Sequence, residues 1–291
     1  MTKIKTVGVA GAGTMGAGIA IVAVRAGFPT VVLEVSREIL DRARWQTEGF
    51  FGKSVKKGKM TAEQVEKALA NWKGTTNLQD MASCDLVIEA VFESLTVKQD
   101  LFKKLHALCP PHTIFASNTS TLSITEIAAG SGREDRVVGM HFCLPAPLMK
   151  LVEMSPGLKT SPEVFEQAWE FCEALGQKPV KTKDSPGFIL NSLLIPFLND
   201  TLRLVEAGVA EPADIDRALK KGLGYPMGPC ELLDLIGLDT QVLLCAALYE
   251  ATHDPRAACP PLLKKMVAAN QLGRKTGQGF YKYEQTTMFG G

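Results

Sequence analysis

The 291-residue chain lacks an excess of either charge: 32 Lys and Arg stand against 31 Asp and Glu, a formal balance of +1. Such a surface carries no basic field for nucleic acid or an anionic membrane, so a polyanion-binding role is disfavoured. It also lacks any CxxC pair. The seven cysteines, Cys84, Cys109, Cys143, Cys172, Cys230, Cys245 and Cys259, are odd in number and scattered. They read as small core hydrophobes in a reducing compartment and give no zinc or iron–sulfur pattern. Internal repeats and low-complexity linkers are missing too. So is the signature of disorder, since 46% of residues are hydrophobic and 22% charged, enough for an autonomous core. At nearly twice the usual domain length of ~150 residues, the chain predicts two domains, or one large α/β domain with an addition.

Charge is absent locally as well. Thr6 to Val24 holds no charged residue and is flanked by Lys3, Lys5 and Arg25, which superficially resembles a signal peptide or short membrane span. Gly8, Gly11, Gly13, Gly16 and Gly18 argue against a spanning helix, and Ile4, Val7 and Val9 alternate like a strand entering a turn. The run Ile4 to Ala10, the turn GAGTMG, a helix over Ala17 to Ala26 and a β-branched run over Thr30 to Val35 together predict a βαβ unit with parallel strands. Further strands are expected at Leu86 to Ala90, Thr113 to Ser117 and Val137 to Met140. Ser36 to Ala70 predicts two helices around a Lys56 to Lys59 turn, the second opened by Thr61 with Glu63 nearby. After Pro186 the pattern turns helical: Phe188 to Val205 with Pro196 inside, then Pro212 to Lys221, Pro229 to Ile236, Thr240 to Glu250 and Pro261 to Asn270.

A lone GxGxxG is weak. Here Gly11, Gly13 and Gly16 follow a strand and open a helix, with Thr14 and Met15 between them, and Glu34 ends the next strand. This is the dinucleotide fingerprint: Gly11 permits the tight turn, Gly13 the close approach of pyrophosphate, and Gly16 the packing of helix on strand. Phosphate then faces the helix N-terminus, and Glu34 takes the ribose hydroxyls. An acid there repels a 2′-phosphate, favouring NAD over NADP; nearby Arg37 either softens that choice or is a solvated charge.

Four other features carry chemistry. SNTSTL, Ser117 to Leu122, ends a strand, where open α/β sheets place ligands; Ser120 is either a hydroxyl donor to substrate or a cap for the helix near Ile124. His141 and Glu153, twelve residues apart, are either a general base and its orienting carboxylate or a buried histidine beside an unrelated acid. Asn191 interrupts an apolar helix face and needs a partner, a backbone carbonyl or a substrate oxygen. Lys53, Lys56, Lys57 and Lys59 either meet phosphates or form a solvated face.

In order, GAGTMGAGIA, VIEAVFES with Lys98 after it, SNTSTLSITEIA, GMHFCLPAPLMKLVE, KDSPGFILN, GYPMGPCELLDLIGLD and KTGQGFYKY resemble the short-chain L-3-hydroxyacyl-CoA dehydrogenase family, which includes 3-hydroxybutyryl-CoA dehydrogenases. The resemblance spans essentially the whole chain. It implies reversible NAD-dependent oxidation of a (3S)-3-hydroxyacyl-CoA to the 3-oxoacyl-CoA, with His141 as general base and Glu153 as its supporting acid. Ser120 would hydrogen-bond the reacting oxygen, and Asn191 would help hold the substrate carbonyl and hydroxyl. It extends the cofactor positions to Glu93, Lys98 and Asn118 and brings Lys53 and Lys57 towards CoA.

Two departures stand out: HFCLP replaces the family's common HFFNP, putting Cys143 and Leu144 in place of an aromatic and an Asn, and Ser192 follows Asn191 where Arg is common. They bear on acyl-chain preference and turnover. The expected architecture is a Rossmann-type NAD-binding domain over residues 1–184 and a smaller all-helical domain over 185–291, with the active site in the cleft between them and homodimerisation through the helical part. No metal is expected. With no signal peptide, transit peptide or transmembrane segment recognised and no fused hydratase sequence, a stand-alone cytoplasmic dehydrogenase is expected. Alternatives are a related dehydrogenase of a free hydroxy acid or sugar acid, and a catalytically silent NAD-binding protein.

Overall fold

The computed structural model describes residues 3–283. It divides into two compact units, Met1–Ser185 and Pro186–Gly291. In the first, β1 (Val7–Ala10) runs into α1 (Thr14–Arg25) and returns as β2 (Thr30–Leu33). The charge-free stretch is thus a buried strand and a helix with nine buried residues, covering the sheet rather than a lipid tail. Among the described residues no single helix is long and apolar enough to cross a membrane.

Ser36 caps α2 (Arg37–Lys56) by accepting from the Ile39 N–H. Thr61 opens α3 (Ala62–Ala70) through a reciprocal capping box whose second member is Gln64, three residues on, not Glu63. Then follow β3 (Trp72–Thr75), β4 (Leu86–Glu89), α4 (Leu95–Leu108), β5 (Ile114–Ser117), α5 (Ile124–Ala129), β6 (Val137–Phe142), β7 (Leu151–Pro156), α6 (Pro162–Ala174) and β8 (Lys178–Lys181).

The eight strands form one sheet in the order β3-β2-β1-β4-β5-β6-β7-β8. All pairs are parallel except β6 with β7. Strand order reverses at β1, which lies between β2 and β4, and such a switch point opens a crevice at the carboxyl ends of the strands. The four strands β1, β2, β4 and β5 are buried throughout, as parallel strands covered on both faces must be.

In the second unit, α7 (Leu190–Glu206), α8 (Pro212–Gly222), α9 (Pro229–Ile236), α10 (Leu238–Thr252) and α11 (Pro261–Ala268) pack around Leu198, Leu202, Leu233, Leu238 and Leu263. Two buried acids tie it together. Asp216 accepts from the Cys230 and Glu231 N–H groups that begin α9 and from the Tyr281 hydroxyl, while Asp234 accepts from the Phe280 and Tyr281 N–H groups and the Tyr283 hydroxyl. The distant blocks GYPMGPCELLD and KTGQGFYKY are thereby one structural joint.

Candidate active site

The three fingerprint glycines differ in what surrounds them. Gly11 has φ +97°, and a Cβ there would lie 2.5 Å from the Ala90 carbonyl oxygen; a Cβ on Gly16 would lie 1.8 Å from the Gly11 oxygen. Both are required by the protein itself. A Cβ on Gly13 would meet nothing within 4 Å, so its bareness serves space outside the protein, at the uncapped N-terminus of α1. Thr14 and Met15 form that first turn. Glu34, just past β2, accepts from the N–H groups of Ala12 (2.9 Å) and Val35 (2.8 Å), fixing a carboxylate beside the turn. Arg37 is exposed and pairs with Asp41 at 3.3 Å, one turn along its own helix. The turn, the open space and the carboxylate fit an adenine dinucleotide.

At the far end of β5, Ser120 follows the strand and its Oγ lies 3.1 Å from His141 Nε2. The helix cap is Ser123, which accepts from Glu126, so Ser120 is spared that duty. Antiparallel pairing of β6 with β7 sets His141 directly opposite Glu153, and Nδ1 lies 2.8 Å from Glu153 Oε2. The acid is not exposed: Glu153 is 1% and His141 7% accessible. In the tautomer whose Nδ1–H donates to the carboxylate, Nε2 is able to accept a hydroxyl proton, and the buried carboxylate would stabilise the resulting imidazolium. Asn118 braces this edge by accepting from the Phe142 N–H at 2.9 Å.

Glu93 reaches the same loop. Its Oε1 accepts from the Ser120 N–H (3.0 Å) and the Thr119 hydroxyl (2.5 Å), and its Oε2 pairs with Lys98 at 3.0 Å. Burial alone would raise the Glu93 carboxyl; the Lys98 ammonium and the Thr119 hydroxyl outweigh it and hold it below the usual carboxylate range. Lys98 is 1% exposed, and its ammonium also meets both oxygens of Glu89 at 2.8 Å. Sequence reasoning missed Glu89. The signal was there, a single acid inside the fully buried strand LVIE.

Lys53 and Lys57 stand exposed at the C-terminal end of α2. Asn191 is buried in the first turn of α7, in the second unit. Ser192, the residue in place of an expected Arg, donates its hydroxyl to the Phe188 carbonyl at 2.7 Å, so its oxygen is turned back on the backbone. Leu144 is 53% exposed. Burial, with Glu153 nearby, pushes the Cys143 thiol up to about 11.

Residues 6–185 match the model of the 3-hydroxyacyl-CoA dehydrogenase NAD-binding domain, and residues 187–283 that of the family's C-terminal domain. The chain belongs to the 3-hydroxyacyl-CoA dehydrogenase family. It is therefore an NAD-dependent oxidoreductase. It is 47% identical over 276 residues to a probable 3-hydroxybutyryl-CoA dehydrogenase of Deinococcus radiodurans, covering 95% of this chain and 99% of that protein. Similarity to the human mitochondrial hydroxyacyl-coenzyme A dehydrogenase is 46% identity over 288 residues, covering 97% and 92% of the two chains. The crystal structure of (S)-3-hydroxybutyryl-CoA dehydrogenase PaaH1 from Ralstonia eutropha superposes with a TM-score of 0.91 at 39% identity, covering 97% of this chain and all of that one. These likenesses run the length of this dehydrogenase, across both of its units.

Proposed function

We propose that this dehydrogenase interconverts a short-chain (3S)-3-hydroxyacyl-CoA, of the 3-hydroxybutyryl-CoA kind, and the corresponding 3-oxoacyl-CoA. The observation that carries this reading is the Ser120–His141–Glu153 relay at the carboxyl edge of a dinucleotide-binding sheet. When bound, NAD supplies the hydride acceptor. His141 Nε2 takes the proton of the 3-hydroxyl, Glu153 holds the ring in the Nδ1–H tautomer and stabilises its charge, and the Ser120 hydroxyl fixes the reacting oxygen. In the return direction His141 gives the proton back to the carbonyl oxygen. Asn191 is assigned to the substrate carbonyl and hydroxyl, Lys53 and Lys57 to the CoA phosphates, and Gly11, Gly13, Thr14, Met15, Gly16, Glu34, Glu93, Lys98 and Asn118 to the cofactor.

NADH oxidation with acetoacetyl-CoA and with free acetoacetate tests the reading. Acetoacetyl-CoA is expected to be reduced with a kcat/KM at least about a hundredfold higher, the contribution of remote binding energy from the CoA handle. Equal rates would move the substrate to a free oxo acid, and no turnover of either would make the protein a silent NAD binder.

Homodimerisation belongs to the same proposal. An apolar groove of about 310 Å³ on the second unit is lined by Leu193, Phe197, Tyr225 and Leu232, and Leu193 is 70% exposed, which suits an isologous contact. Sedimentation should give a dimer, converted to monomer by Leu193→Glu. A cytoplasmic setting suits the thiols, five of which are buried.

A further inference from the structure

Glu89 is the last residue of β4, faces Ser117 across the β4–β5 ladder and is 0% exposed. A carboxylate so placed must be compensated, and it is, by both Lys98 contacts, by the Ser117 hydroxyl, and by the Val91 N–H at 3.3 Å. A purely structural ion pair would end there. This one continues by two routes. Lys98 carries it to Glu93, whose other oxygen accepts from the Ser120 N–H and the Thr119 hydroxyl. Ser117 carries it more directly, since its Oγ accepts from the Thr119 N–H at 3.2 Å. Both routes meet at Thr119, the first also holds the Ser120 N–H, and Ser120, next in the chain, is the residue whose hydroxyl meets His141 Nε2.

We infer that Glu89 is a positioning residue, which fixes the Ser117–Ser120 loop through Lys98 and Glu93 and through Ser117, and thereby sets the Ser120 hydroxyl against His141. The inference rests on the proposed roles of Ser120 and His141. The physical reason is the sharing of one ammonium by two carboxylates. Lys98 sits 2.8 Å from both oxygens of Glu89 and 3.0 Å from Glu93; burial pushes the Glu89 carboxyl up, and the shared ammonium and the Ser117 hydroxyl oppose that by favouring its anion. Neutralising Glu89 lets the ammonium recentre on Glu93 and draws that carboxylate away from the Ser120 N–H. At the same time the Ser117 hydroxyl exchanges an anionic acceptor for a neutral amide oxygen, so its own oxygen is held less firmly towards the Thr119 N–H. Because a displacement of about 1 Å near reacting groups can change rate about a hundredfold, the loop need move only slightly.

The test is a double-mutant cycle read by steady-state kinetics with acetoacetyl-CoA and NADH. Glu89→Gln is expected to lower kcat about tenfold to a hundredfold while the KM for acetoacetyl-CoA stays within about threefold. In a Ser120→Ala background the same substitution should cost less than about twofold, because the hydroxyl it positions is gone. Equal loss in both backgrounds, or no loss in either, overturns the inference. If Glu89→Gln does not fold, Ser117→Ala breaks the shorter route alone. It should lower kcat about threefold to tenfold in the parent chain and not in Ser120→Ala, and a multiplicative loss refutes it. A readout without turnover separates this inference from the reading beneath it. The imidazole nitrogen NMR signal of His141 Nε2 should shift in both Glu89→Gln and Ser120→Ala. That shift with a wild-type protein inactive on acetoacetyl-CoA would sink the functional reading and leave the positioning intact; an active wild type with an unmoved signal would do the reverse.

Discussion

Glu153→Gln isolates the charge of the His141 partner while keeping its shape. The amide oxygen can still accept from Nδ1–H at a position near the present 2.8 Å, so ring orientation should survive. What is lost is the interaction between an anion and the imidazolium formed as His141 takes the hydroxyl proton. At 2.8 Å two unit charges attract by about 6 kcal/mol at an effective dielectric of about 20. The retained neutral hydrogen bond and relaxation of the amide offset part of that. The remainder, about 3–4 kcal/mol, corresponds to a kcat lowered about 10²- to 10³-fold. Both side chains are almost wholly shielded from water, so salt should restore little. The assay is NADH oxidation by acetoacetyl-CoA, with NADH affinity and thermal unfolding measured alongside. Neither should change much, because the substitution keeps the side chain's shape and Glu153 lies on β7, opposite His141. His141→Gln should lose about 10²- to 10⁴-fold, and the double variant should be no worse than His141→Gln alone, since in the proposed mechanism the acid acts through the ring. A Glu153→Gln enzyme within about threefold of wild-type turnover would refute the reasoning, as would additive losses in the double variant.

The glycine turn offers a contrast. Gly13→Ala should unfold within about 0.5 kcal/mol of wild type, as substitutions without a named packing defect do, because its Cβ meets nothing; yet by calorimetry it should bind NADH at least about tenfold more weakly, since the close approach of pyrophosphate needs a bare backbone. Gly16→Ala, with a Cβ 1.8 Å from the Gly11 oxygen, should lose both stability and binding; an intact melting temperature would contradict the geometry. Cys143, with its thiol raised to about 11, should alkylate slowly at pH 7 and faster with each unit of pH up to about 11, since the thiolate is the nucleophile and burial disfavours it; a plateau near pH 8 in iodoacetamide kinetics would be inconsistent with that cause. In the second unit, Asp216→Ala strands two N–H donors and the Tyr281 hydroxyl, and denaturant unfolding should show a loss of about 3–5 kcal/mol, with a loss below about 1 kcal/mol counting against the joint.

What could be read from the chain alone follows the range of the interactions involved. The fingerprint and the start of α3 are local, a few residues deciding a turn or a cap, and the sequence carries both. The strands β3 and β8 are absent from the sequence-based expectation for a physical reason. They are the two edges of the sheet, and their sequences, WKGT and KPVK, are half exposed. Edge strands need not be apolar, and Pro179 is tolerated because an edge residue need not donate to a ladder. The His141–Glu153 pair could be offered from local sequence only as one of two readings, because it depends on register. Val152 and Met154 flank Glu153 and are 0% exposed, so both faces of β7 are buried and alternation of polarity does not say which residue faces the histidine. Only the pairing His141↔Glu153 in the antiparallel ladder does. A slip of one residue would turn the carboxylate to the opposite face of the sheet and set a hydrophobic side chain against Nδ1. The chemistry of the proposed base is therefore a property of strand registry. Asn118, which ties the end of β5 to Phe142 beside His141, belongs to the same determinant as the acid itself.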